Sequence, residues 1–457
     1  MTPEARGTPG GREEYHLMRY GKVKRLTAAA VAAVAGLSVA ACGGSSGPAG
    51  DDKTLILWHM EQPPNRVAEF QKLIDGYNST NPEYKVQAQV QDWNQIYTKI
   101  SGAVQSKTQP DILFTIPDFT TYVRPLGAVR PVTALVEELD KAHTFGEAAK
   151  APYRDDDQYW AVPLYGMVQM LWYRKDLMAK AGIAEPPKTT AELLAAAQRL
   201  TSGNQKGIAL PAGKNLATDQ VLYSLMLTGG AGNFFTPSGE VNFDTPETVR
   251  AITLYRDLLK QSPSDSGNYS WGEPQAAFNS GAAAMAIEKG QYLAPFEQES
   301  GRPASDLGCA PIPVAETGGK PGSIYYSNAA MVMSGDDAKA AGAEAFLKYV
   351  LQPENYGTLL NAEPGLFLPL TADGATAESW TSNQVVQKYR GCVDAMLEQS
   401  KTGGLFGFLD GQYVDSIGKI SGQNVLAQVV QRVYSGDESP EAAVKWGDEQ
   451  MRTAVAK

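Results

Sequence analysis

From residue 54 onward the chain alternates short apolar runs with longer stretches in which apolar residues recur every three or four positions. Thr54-Leu55-Ile56-Leu57-Trp58 predicts a short buried strand, and Val67, Phe70, Leu73, Ile74 and Tyr77 share one face of the helix that follows, closed by Asn81-Pro82. Val86, Ala88 and Val90 alternate as a second strand. A helix near 93–107 then leads to a third, Asp111-Ile112-Leu113-Phe114-Thr115-Ile116. This βαβαβ run implies an α/β domain with parallel strands and helices on both faces, and in such sheets ligands gather beyond the carboxyl ends of the strands.

Further on, Tyr159-Trp160-Ala161-Val162-Pro163 reads as a short extended segment and Val168 to Tyr173 as another strand. Thr189-Thr190-Ala191-Glu192 has the form of a capping box, in which hydroxyl and carboxylate satisfy the free amides of a helix running to Leu200. Thr245-Pro246-Glu247 opens a helix with Val249, Ile252, Tyr255 and Leu259 inward, and Ser439-Pro440-Glu441 repeats the device. Gly229-Gly230-Ala231-Gly232 lacks the dinucleotide fingerprint and reads as a turn.

Residues 26–41 form a long uncharged stretch, preceded by Arg19, Lys22, Lys24 and Arg25 and ending in Val39-Ala40-Ala41-Cys42. A basic start, an apolar middle and small residues before a cleavage point make 1–41 a secretory signal peptide, with Met18 a plausible true start. The Val-Ala-Ala-Cys string resembles a bacterial lipobox, which implies cleavage before Cys42, lipidation of its thiol and retention on the outer face of the cell membrane. A permanent transmembrane helix is disfavoured, because the Ala-rich stretch is short and weakly apolar for a span of about 20 residues. The Gly/Ser-rich segment 42–53 then serves as a flexible tether.

The whole chain has 40 Lys+Arg against 50 Asp+Glu; six basic and three acidic residues lie in 1–41, leaving 34 against 47, a net of −13. Without a block of Lys and Arg to neutralise phosphates, the exported part does not fit a nucleic-acid binder. Cys309 and Cys392 remain after Cys42, and an oxidising setting permits either a bridge or two buried thiols.

Beyond the leader the chain has two histidines, His59 and His143. From residue 54 on it has no His-Glu-x-x-His, Cys-x-x-Cys, Gly-x-Ser-x-Gly or Walker-type glycine loop, so the sequence supports no metal site, cofactor or catalytic triad. Paired carboxylates for glycoside hydrolysis depend on a separation of about 5–9.5 Å, a spatial matter that sequence leaves open. Aromatic residues instead collect near predicted strand ends: Trp58, Phe119, Trp160, Tyr165, Trp172, Trp271, Tyr292, Tyr325, Tyr326 and Phe367. Each alone is ordinary core; several converging with amides and carboxylates make a carbohydrate site, where rings lie against apolar sugar faces.

The order of segments resembles the family 1 extracellular solute-binding proteins of bacterial ABC importers, the group that includes maltose-binding protein. The most specific stretch is Tyr159-Trp160-Ala161-Val162-Pro163-Leu164, then Leu171-Trp172-Tyr173-Arg174-Lys175-Asp176-Leu177, Ala181-Gly182-Ile183 and Pro186-Pro187-Lys188-Thr189. Supporting matches are Pro110-Asp111-Ile112, Val241-Asn242-Phe243-Asp244, Gly281 to Ile287, Ala310-Pro311-Ile312-Pro313 and Gly436 to Ala443. Arg174 and Thr190 replace the family's usual asparagine and tryptophan without disturbing the pattern.

The resemblance implies an α/β, two-lobed periplasmic-binding-protein-like fold with a hinged interdomain ligand cleft, in a non-enzymatic monomer that captures a sugar and delivers it to the membrane subunits of an ABC permease. Residues 54–163 with 324–370 would form one lobe, and 164–323 with 371–457 the other. By the same comparison Asp118, followed by Phe119, stands where a carboxylate accepts sugar hydroxyls, and Glu61 and Gln62 follow the first strand where polar contacts are common. Tyr165 and Trp271 are further contacts. Met167 replaces a second cleft carboxylate, a departure from maltose-like specificity. Glu288, Gln291 and Tyr292 fall near the aromatic platform, Tyr325 and Tyr326 at the second crossing, Phe367 at the third, and Asn424 near another stacking position. The alternatives left open are a non-sugar solute (polyol, glycerol phosphate or peptide) in the same fold, and a secreted glycan-active enzyme.

Overall fold

The computed structural model describes residues 53–436 and 438–456. The expected signal peptide, Cys42 and nearly all of the tether lie outside these residues. Among them, no helix is long and apolar enough to cross a membrane.

The expected βαβαβ run is present as β1 (Thr54–His59), α1 (Pro64–Ser79), β2 (Lys85–Val90), α2 (Ile96–Gln105) and β3 (Ile112–Thr115), followed directly by α3 (Pro117–Val123). β1 is parallel to both β2 and β3, and its Leu55 and Leu57 are fully buried with Ile112 and Leu113 beside them. Phe70, Leu73, Ile74 and Tyr77 seat α1 on this sheet; each such side chain contributes about 1.5–3 kcal/mol by leaving water. Val90, expected inward, is 44% exposed: it pairs with His59 at the end of β2, which is the edge strand of the sheet.

The apolar run around residues 159–173 divides differently from the sequence expectation. It forms β4 (Val162–Val168) and β5 (Met170–Arg174), in two different sheets, broken at the fully buried Gln169. Hydropathy cannot mark that break, since both strands are buried on both faces. The polar atoms of Gln169 mark it instead: its side-chain carbonyl accepts from Ser224 at 2.7 Å and its backbone carbonyl from Ser323 at 2.7 Å.

Next come α4 (Thr190–Leu200), begun by the capping box of Thr189 and Glu192, α5 (Leu216–Thr228), α6 (Pro246–Leu259) and α7 (Gly272–Asn279). Strands β6 (Met285–Glu288) and β7 (Leu307–Ala310) flank β5 in a three-stranded antiparallel sheet. The chain then returns as β8 (Ser323–Val332), antiparallel to both β3 and β4 in the larger sheet. After a run of helices beginning with Asp337–Val350 and Pro353–Leu360 come α8 (Arg390–Ser400), β9 (Gly403–Gly404) beside β8, a short hairpin of β10 (Phe408–Leu409) and β11 (Gln412–Tyr413), then α9 (Ile417–Ser421), α10 (Val425–Tyr434) and α11 (Pro440–Ala456). Cys309 of β7 and Cys392 of α8 form a disulfide, their Cα atoms 5.8 Å apart.

Candidate binding cleft

A cavity of about 490 Å³ opens at the carboxyl ends of β1, β2 and β3, where the sheet leaves Met60, Trp93 and Ile116. Its opposite wall is built from Leu216 and Gln220 of α5, Trp271 and Gln275 at the start of α7, and Lys289 and Gln291 just after β6. Between them, β8 supplies Tyr326 and Asn328 and β4 supplies Met167. The β4–β8 register slips between Asn328 and Ala329, a bulge of the kind that re-aims side chains. The Asn328 amide nitrogen is buried there without a partner.

Of the residues singled out from the sequence, Glu61, Gln62, Met167, Trp271, Gln291 and Tyr326 line this cavity. Glu61 is committed at both oxygens: Tyr165 donates to Oε1 at 2.8 Å, and Arg66 to Oε2 at 2.9 Å. Arg66 also donates to Glu363 at 3.1 Å. Tyr165 is stacked on Phe367 with centroids 4.0 Å apart, so these two rings stand behind Glu61 and hold it rather than face the cavity. The guanidinium is thereby neutralised by two buried carboxylates.

On the other wall, Lys289 is 6% exposed and donates to Glu288 Oε1 at 3.1 Å and to Gln220 Oε1. Its ammonium lies 6.0 Å from the Trp271 ring, at the outer reach of a cation–π contact. Glu288 is thus a buried counter-ion behind the wall, and Tyr292 is fully buried, stacked on Trp172 at 5.3 Å. Neither lines the cavity. The Gln291 side-chain oxygen Oε1 and the Tyr326 hydroxyl are buried without a partner, which leaves an acceptor and two kinds of donor, with Asn328, on residues that line the same space.

Three expected contacts lie one step beyond the cavity. Asp118, fully buried at the start of α3, accepts from Ser421 of α9 and, at 3.4 Å, from Tyr97. Burial pushes its carboxyl up to about 6, although the Ser421 hydrogen bond works against that rise. Phe119 is buried against Trp93 and Tyr97. Asn424 donates to Asp219 at 2.7 Å, and burial pushes the Asp219 carboxyl up to about 7. Tyr325 is a correction: adjacent residues of a strand point to opposite faces, so with Tyr326 toward the cleft Tyr325 lines a separate cavity beside Tyr223, Leu405 and Phe408.

Arg66, Trp93, Gln220 and Asn328 were not anticipated from sequence. Trp93 carried a signal, being an aromatic just past a strand end, whereas Arg66 and Gln220 sit on helices with nothing local to mark them. Among the described residues, no cluster of His, Cys, Asp and Glu has the form of a metal site.

Comparison with known proteins agrees with this architecture. Residues 63–357 match the family described as bacterial extracellular solute-binding protein. A putative ABC transporter periplasmic-binding protein of Escherichia coli, YcjN, is 26% identical over 407 residues, covering 87% of this chain and 93% of the relative. The diacetylchitobiose binding protein DasA of Streptomyces coelicolor is 26% identical over 74% of this chain and 81% of its own length. Among solved structures, a maltose-bound protein of T. maritima, MalE3, superimposes with a TM-score of 0.75 at 15% identity, over 88% of this chain and 99% of that one. A solute-binding protein of Agrobacterium radiobacter in complex with ribitol gives 0.74 at 21% identity, over 88% and 99%. The fold they share is two-lobed.

Proposed function

From the premise that this chain belongs to the bacterial extracellular solute-binding proteins, and is thus an ABC-transporter binding protein rather than an enzyme, we propose that it captures a neutral carbohydrate between its lobes and passes it to a membrane permease. The observation that carries this reading is the lining of the cleft. Trp93, Trp271 and Tyr326 offer ring surface, while Gln291, Asn328 and the Tyr326 hydroxyl present unsatisfied acceptors and donors together. Each sugar hydroxyl both donates and accepts, so a polyhydroxylated ligand satisfies such a mixed set, and the rings cover its apolar faces.

Charge favours the same class. Both cations at the cavity are already matched, Arg66 by Glu61 and Glu363 and Lys289 by Glu288, so a phosphorylated solute finds no free positive charge. A polyol is the second reading, since it shares the hydroxyl chemistry, and one structural neighbour holds ribitol. The mechanism is ligand-biased closure, in which a solute that bridges both walls makes contacts that the open form lacks. The split into 54–163 with 324–370 and 164–323 with 371–457, an anchor at Cys42 after removal of 1–41, and a monomeric state belong to this proposal.

The test is a thermal-shift screen with neutral saccharides, polyols and phosphorylated solutes, followed by calorimetric titration. A ligand at about 100 times its dissociation constant adds about 2.7 kcal/mol to stability, a readily measured rise in midpoint. A shift confined to phosphorylated or peptide ligands would overturn the carbohydrate assignment. For the anchor, mass spectrometry of membrane-extracted protein should find a lipid-modified Cys42 as the first residue; an unmodified N-terminus elsewhere refutes it.

A further inference from the structure

Between β9 and α10 the chain forms a strap, residues 405–424, that crosses from one wall of the cleft to the other. At its base, Asn233 donates to the carbonyls of Leu405 and Phe408 at 3.3 and 3.1 Å and accepts from the Gly407 amide at 3.1 Å. Gly407, Asp410 and Gly411 have φ of 74°, 46° and 86°, the left-handed conformations that fold it into a tight hairpin. At its far end, Asp415 meets Arg124 at 2.8 Å and α9 lies directly on α3. A Cβ on Gly418 would stand 2.6 Å from the Tyr122 amide nitrogen, so a glycine is needed for that approach.

The strap ends on the two carboxylates that continue the cavity walls. Ile116 lines the cavity and Asp118, two residues on, is covered by Ser421; Gln220 lines it and the adjacent Asp219 is covered by Asn424. The Ser421 hydroxyl and Asn424 amide thus sit where an extended ligand would present its own donors. Asp118 retains one buried oxygen, Oδ1, without a partner.

Resting on the carbohydrate reading above, we propose that this strap is a length stop: Ser421 and Asn424 close the Asp118–Asp219 end of the cleft, so that the protein takes saccharides of one or two rings and excludes longer ones. Specificity then comes from a built obstruction as much as from contacts to the favoured ligand.

The experiment is calorimetric titration of the purified full chain with malto-, cello-, manno-, xylo- and chito-saccharides of one to four rings. In whichever series binds, the three- and four-ring members should bind at least about tenfold more weakly than the best one- or two-ring member. Gly418→Val, which wedges α9 away from α3, should narrow that gap, as should the pair Ser421→Gly with Asn424→Gly. Tight binding of a three- or four-ring member by the unaltered protein overturns the stop while leaving the carbohydrate reading intact. A gap unchanged in folded variants of both kinds overturns the strap's part in it. Absence of binding by every saccharide overturns the carbohydrate reading and the stop together. Should the variants fail to fold, the length series on the unaltered protein decides.

Discussion

Replacing Cys309 and Cys392 by alanine removes the cross-link between β7 and α8, whose ends are 83 residues apart in sequence. The intervening chain is not a local loop: it contains β8, which pairs with β3 and β4 of the larger sheet, and all of 333–391. The bond therefore fixes both ends of an excursion from one sheet to the other and back. Closing a loop of that length in the unfolded chain lowers its entropy by about 15 cal/mol/K, equivalent to about 4.5 kcal/mol at 25 °C. Both cysteines are half-buried against the core, so alanine adds only a small packing loss. Urea unfolding of the double variant, and of the unaltered protein in reductant after thiol titration confirms two free thiols, should each show a loss of about 3–5 kcal/mol. A loss under about 1 kcal/mol with the bond verifiably absent would refute the loop-entropy reasoning.

Arg66→Met leaves Glu61 and Glu363 buried without their cation, and stability should fall by about 3 kcal/mol in urea titration; an unchanged midpoint would mean that the network contributes nothing. Trp271→Ala, at a half-buried ring on the cavity wall, should weaken the ligand found by screening about tenfold while leaving the unfolding midpoint within about 1 °C; titration calorimetry reads the first and differential scanning the second. Burial raises the Asp118 and Asp219 carboxyls to about 6 and 7 in the folded protein, above their unfolded value of 3.8, so the folded protein holds the extra protons and their contribution to stability falls as pH rises from about 4 to 7. His59, whose pKa burial lowers, acts in the opposite direction, so the comparison is between the unaltered protein and Asp118→Asn: the variant's midpoint should fall less over that window, and parallel slopes would refute the assignment.

The sequence by itself determined the elements and much of the identity. The parallel β1–β3 unit, the capping box of α4 and the proline-led starts of α6 and α11 are set by residues within a few positions of one another, and local rules read them directly. The ordered strings shared with the solute-binding proteins carried the fold class, and six of the named contacts do line one cavity. The rest depended on separations in space. Whether an apolar run is one strand or two is decided by which sheet each half joins, as at Gln169. Which of two adjacent tyrosines meets the cleft follows from pleat and register, and the bulge at Asn328 exists only in the β4–β8 pairing. Asp118 was legible as an acceptor, but one of its two donors, Ser421, lies 303 residues away on α9. The Arg66 pairing with Glu363 spans 297 residues, and the Cys309–Cys392 bond required a Cα approach that no spacing encodes. Hydrophobic periodicity reports which face of an element leaves water; it carries no information about which distant polar group will be waiting there, and the site is made of such meetings.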